Sequence, residues 1–112
     1  MNNTKNQKNI SKHIKLEDYK VFDYEIPEIF LDFVIKKNAV YVKTQLKLVK
    51  INKNAKNLNL DGRDILIKKI FIDDLLLEKK HFIQKKNNLK IKNINKDNFS
   101  LKIEGIIKPK EN

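Results

Sequence analysis

From Glu28 the chain alternates apolar and polar positions with a period of two. Ile29, Leu31, Phe33 and Ile35 interleave with Phe30, Asp32 and Val34, which predicts a strand with one strongly apolar face. Lys36-Lys37-Asn38 predicts a turn, with asparagine suited to a left-handed backbone. Val40, Val42, Thr44, Leu46 and Leu48 then alternate with Tyr41, Lys43, Gln45 and Lys47, a long half-buried strand with cations on its wet face. The two strands predict a hairpin.

Residues 52–57 are a polar loop, and Leu58 and Leu60 mark a short strand ending at an Asp61-Gly62 turn. Residues 65–72 form another apolar run, closed by Asp73-Asp74. The remainder reads as a meander through residues 75–77, 81–84, 89–94 and 99–107, with turns at Asn87-Asn88 and Lys96-Asp97-Asn98. No segment sustains a helical stripe, although residues 73–80 can form one helical turn. The expected fold is all-β: an antiparallel sandwich or saddle of about eight short strands. Pro27 lacks a donor and belongs at a strand start or edge. With glycine only at Gly62 and Gly105, asparagine is expected to serve most turns. Residues 1–15 contain no acid and no apolar stretch. They are expected to form a disordered basic arm, leaving 16–112 as the β domain.

The length of 112 residues fits one domain or part of one, and 40% hydrophobic residues permit a small core. No run approaches the ~18 apolar residues of a membrane span, so a soluble, cytoplasmic chain without a membrane partner is expected. The formal charge is +11. Its carriers are lysines, apart from Arg63, and they are scattered. Lysine lacks the planar fork that reads phosphate bidentately, so the charge points first to a solvated surface and only second to a polyanion.

No catalytic constellation emerges. Absence of cysteine excludes disulfides and thiolate zinc sites. His13 is followed by Ile14 and His81 by Phe82, so neither opens an HExxH motif, and two distant glycines cannot cradle a phosphate. Asp73, Asp74 and Glu78 are the best carboxylate group, but adjacent strand residues point to opposite faces, and a turn role is expected. His81 is expected to be an ordinary imidazole and His13 an exposed one. Tyr41-Val42-Lys43 and Lys80-His81-Phe82 interleave aromatics with cations, a pattern better explained by core packing than by base stacking. Asn2-Asn3-Thr4 and Asn98-Phe99-Ser100 match the glycosylation pattern by chance in an asparagine-rich chain. No residue is assigned a catalytic, cofactor-binding or metal-ligating role.

One ordered series exceeds generic β patterning. Asp18-Tyr19 leads to Ile29-x-Leu31-x-Phe33-x-Ile35, and Val40-x-Val42-x-Thr44 follows. Leu58-x-Leu60-Asp61-Gly62 comes next, then Ile70-x-Ile72-Asp73. Over roughly residues 15–107 this resembles the opening of the aminopeptidase N family of zinc metallopeptidases. Val21-Phe22 replaces the double proline common there, and Asp74 replaces the usual final glycine.

The resemblance implies the first half of that family's N-terminal β domain, acting as a scaffold packed on a catalytic domain. It also implies that the zinc helix and the amine-binding segment lie in other regions of the family's proteins. This chain would then be inactive alone, hold no cofactor, and meet peptide only through that catalytic domain. Two alternatives remain open. One is a lysine-rich β module for nucleic acid or another polyanion. The other is a β-sandwich adaptor that contacts another protein through an exposed apolar edge, its final strand (residues 99–107) left unpaired by the stop after Lys108-Pro109-Lys110.

Overall fold

The computed structural model describes residues 8–61 and 65–107. Ten strands form within them: β1 (Lys8–Lys15), β2 (Lys20–Val21), β3 (Tyr24–Lys36), β4 (Ala39–Lys50), β5 (Leu58–Asp61), β6 (Leu66–Ile72), β7 (Leu75–Leu76), β8 (Phe82–Lys85), β9 (Asn88–Ile91) and β10 (Asn98–Ile107). A single 3-10 turn at Lys79–His81 is the only helical element among the described residues. The larger sheet runs β1-β3-β4-β10-β6-β7, with β2 beside β3, and the smaller runs β5-β9-β8. All pairings are antiparallel. The all-β expectation holds.

The β3–β4 hairpin forms as its alternation requires, with Lys36 opposite Ala39 and Ile29 opposite Leu46. It begins earlier than the sequence indicates. Pro27 lies inside β3, where the register shifts between Glu25 and Glu28. A bulge tolerates the missing donor, and the Pro27 carbonyl still accepts from the Leu16 N–H at 2.8 Å.

Two expectations are corrected. Residues 8–15, expected in a disordered arm, form β1 along the whole outer half of β3. Ile10 and Ile14 supply the alternation, and the exposed edge of β3 supplies the unpaired backbone groups that draw this segment in. Residues 1–7 lie outside the described structure. The late strands are not a simple meander either. β10 returns to lie between β4 and β6 and is paired on both sides, so the final strand is not an edge. Asparagine serves three of the turns among the described residues, at Asn38, Asn54 and Asn87. Positive φ occurs at Asp18, Phe22, Asp73, Asp74 and Asn93, and not at Asn38. Gly62 lies outside the described residues.

The register stacks side chains into rows across the larger sheet. Inward rows are Lys8–Ile35–Val40–Ile107, Ile10–Phe33–Val42–Gly105, Lys12–Leu31–Thr44–Ile103 and Ile14–Ile29–Leu46–Leu101. Only one end of this face is roofed. Leu58, Leu89 and Ile91 of the small sheet, with Ile94, pack on Leu46, Leu48, Ile70, Phe99, Leu101 and Tyr24, all of them buried. A 13-residue strand is about 43 Å long, so the hairpin outruns its roof. The chain measures 51 × 28 × 27 Å, with a radius of gyration of 15.3 Å against about 13 Å for a compact chain of this length.

Candidate functional site

The carboxylates and imidazoles that the sequence brings forward do not converge. Asp73 and Asp74 form the two-residue turn between β6 and β7, and both take positive φ, as primed hairpin turns require. Asp73 Oδ1 accepts the Ser100 N–H at 2.9 Å, and Oδ2 accepts from Lys96 Nζ. The Lys96 bond first, and the Ser100 bond second, hold its carboxyl below the ordinary value. Asp73 is thus a fastener between the turn and β10. Glu78 is exposed and precedes the 3-10 turn without capping it through its side chain. His81 is half-buried at the end of that turn. His13, exposed as expected, is seated on β1: its ring stacks on Phe30 at 4.2 Å and its Nε2 lies 2.9 Å from Glu28. No group of three or more His, Asp or Glu among the described residues is placed to hold a metal ion.

What the fold does build is two sheet faces of different chemistry. On the outward face, one row runs Ser11–Asp32–Lys43–Glu104–Lys69, alternating in charge from Asp32 onward. Opposite charges at directly paired positions support a sheet by roughly 0.2–1 kcal/mol each. The neighbouring row, His13–Phe30–Gln45–Lys102–Phe71, is held by the histidine stack and by Lys102 Nζ at 4.4 Å from the Phe71 ring centroid. A shallow hollow of about 290 Å³ lies on this face against Asp32, Tyr41, Lys43, Lys68 and Glu104. Its charges are matched, so it has no net preference for an anion or a cation.

The inward face is different. Beyond the small sheet it presents Leu31, Phe33, Ile35, Val40 and Ile107, all half-exposed, together with Ile10. Leu31, Phe33, Ile35 and Val40 take no part in the core cluster under the small sheet. This apolar shelf is the candidate functional site, a surface for packing rather than for bond-breaking. The alternation in β3 and β4 made it legible as core, but the sequence did not show that the roof stops short of it.

One buried and one half-buried polar residue beside the core escaped the sequence reading. Lys50 is only 6% exposed, and its Nζ donates to the Ile94 carbonyl at 2.8 Å. Gln84 donates to the Ile65 carbonyl at 2.7 Å, and its Oε1 accepts the Ile67 N–H at 3.4 Å. Parity was the available signal, since Lys50 continues the inward series of Leu46 and Leu48, and Gln84 continues that of Phe82.

No helix among the described residues is long and apolar enough to cross a membrane. No model of a known protein family matches the chain, and no curated protein does. Solved structures do. Legionella pneumophila aminopeptidase A, in complex with aspartic acid, matches 84% of this chain with a TM-score of 0.59 and 24% identity. Native yeast LTA4 hydrolase matches 64% of it with a TM-score of 0.52 and 22% identity. The match covers 12% of each of those chains, so this chain spans about an eighth of their length. At these identities the likeness establishes a shared β fold.

Proposed function

We propose that this chain is a non-catalytic β scaffold equivalent to the opening part of the N-terminal domain of an aminopeptidase N-like protein. In such a protein, N-terminal amino acids would be removed from peptides by a separate zinc-bearing domain. The observation that carries the reading is the backbone likeness to aminopeptidase A over most of this chain. The ordered motifs from Asp18-Tyr19 to Ile72-Asp73 support it independently.

Zinc takes three or four closely placed nitrogen, sulfur or carboxylate ligands. The residues described here do not fit that demand. His13 belongs to the large sheet, where it engages Glu28, and His81 ends the 3-10 turn that leads into β8 of the small one. On this reading the steps of hydrolysis belong to the separate domain and not to this chain. Its work is mechanical: a stiff sheet with a charged outward face and an apolar inward shelf.

The test is to assay purified protein, supplied with zinc, on aminoacyl arylamides. The expected result is no release above a zinc-only control, and zinc-dependent turnover abolished by a chelator would overturn the reading. A parallel titration with single-stranded DNA covers the polyanion alternative. Binding that falls steeply with added salt would favour that module instead.

A further inference from the structure

Along β1 the apolar shelf is bordered by charge of one sign. On β1, Lys8 shares an inward row with Ile35, Val40 and Ile107, and Lys12 shares one with Leu31 and Thr44. Both lysines are exposed. The carboxylates of the same strands from Glu28 onward fall on the other face: Glu28 opposite Lys15 and Lys47, Asp32 opposite Ser11 and Lys43, and Glu104 opposite Lys43 and Lys69. Among the described residues, no acid occupies an inward position on any of these four shelf strands between the hairpin tip and the Ile14–Ile29–Leu46–Leu101 row. Period-two alternation has thus sorted the charges. The outward face sets its carboxylates among lysines, and the inward face of these strands carries lysine alone, at Lys8 and Lys12.

We propose that the shelf of Leu31, Phe33, Ile35, Val40 and Ile107 docks a polypeptide face whose apolar strip is flanked by carboxylates aligned on Lys8 and Lys12. The proposal uses the scaffold reading for its purpose but not for its evidence, which is the row structure alone. The apolar rows provide the non-directional attraction, and a second layer about 10 Å above the sheet would complete the sandwich that the small sheet begins. The lysine rim selects the occupant. A second copy of this chain would bring the same inward positions, which carry Lys8 and Lys12 and no carboxylate, in molecules already carrying +11 each. Like charges facing each other across an interface are strongly disfavoured.

The experiment uses the full chain and two amphipathic helical peptides of about 18 residues, with identical leucine stripes. One peptide carries glutamates along both flanks of the stripe and the other carries lysines. Methyl NMR on the protein reads the site and the affinity. The glutamate-flanked peptide is expected to shift the Ile10, Leu31, Ile35, Val40 and Ile107 methyls and to bind at least about tenfold more tightly, with the preference shrinking as salt rises. A Lys8→Glu, Lys12→Glu double variant, altered only at exposed positions, should reverse the preference.

Equal affinity for both peptides, shifts confined to other surfaces, or no shift with either would overturn the proposal. So would a concentration-dependent dimer that perturbs the same methyls, because the occupant would then be a second copy. None of these outcomes bears on the arylamide assay, so the two readings fail separately.

Discussion

Gln84 behaves as a one-residue strand toward Ile65: its Nε2 donates to the Ile65 carbonyl at 2.7 Å, and its Oε1 accepts from Ile67 two residues on. A primary amide carries a donor and an acceptor side by side, as a peptide unit does. The short β7 pairs only with Phe71 and Ile72, so the start of β6 lacks a strand neighbour on that side. The small sheet supplies one through a side chain.

Replacing Gln84 by leucine is therefore expected to cost more than a surface change. It strands a part-buried N–H and a carbonyl, at about 1–3 kcal/mol. Urea denaturation should show a lower midpoint with unchanged slope. Light scattering should show more association, because an unpaired edge invites pairing. An unchanged midpoint would mean the amide is not capping the edge.

Gly105 has no room for a side chain. A Cβ there would meet the Leu66 carbonyl oxygen at 2.8 Å and Ile65 Cγ1 at 2.9 Å, at the point where the β10–β6 register shifts. Backbone cannot yield as a flexible side chain does. Gly105→Ala is expected to destabilise by about 1–3 kcal/mol, the range for overpacking. Thermal unfolding monitored by circular dichroism measures it.

Asp73 predicts an acid limb. Its carboxyl lies below the usual 3.8 because Lys96 and the Ser100 N–H favour the ionised form. The unfolded chain thus binds this proton more readily than the folded one. Its contribution is fully present above about pH 4 and is lost as pH falls below that value. Asp73→Asn should be less stable at pH 7 and lose less stability between about pH 4 and pH 2. Asp74 is a separate test. Its φ of 68° is costly for a residue with a Cβ, so Asp74→Gly should stabilise the turn by about 1 kcal/mol.

Tyr24 buries its hydroxyl with no partner in the protein, while its ring meets Phe99 edge-on at 6.1 Å. Burial, and then the charge of Asp23, push the phenol above its ordinary value of 10. Tyr24→Phe keeps the ring and removes the orphaned group, so it is expected to stabilise by about 1 kcal/mol at pH 7. It should also remove a loss of stability that the parent shows as pH rises above 10, since ionisation there favours the unfolded chain. Denaturant midpoints at pH 7 and about pH 11 decide both points.

The hairpin, the β6 run and the cationic wet face of β4 were legible because successive side chains on a strand point to opposite faces, so hydropathy records parity directly. The shelf residues were legible as apolar for the same reason. Their exposure was not, because it depends on how far the small sheet reaches. Asp73 was read as a turn residue and is one, but Lys96 and Ser100 as its partners required the β10 strand to arrive beside it.

The sequence alone therefore determined the class of fold, which residues share a face, and the absence of cysteine and of an HExxH motif. Tertiary structure decided that β10 lies between β4 and β6, that residues 8–15 join the sheet, and that Gln84 and Lys50 find backbone partners. The division has one physical cause. Alternation is a local property of a strand, whereas pairing order and buried hydrogen bonds are settled by segments distant in the chain competing to satisfy the same exposed backbone groups.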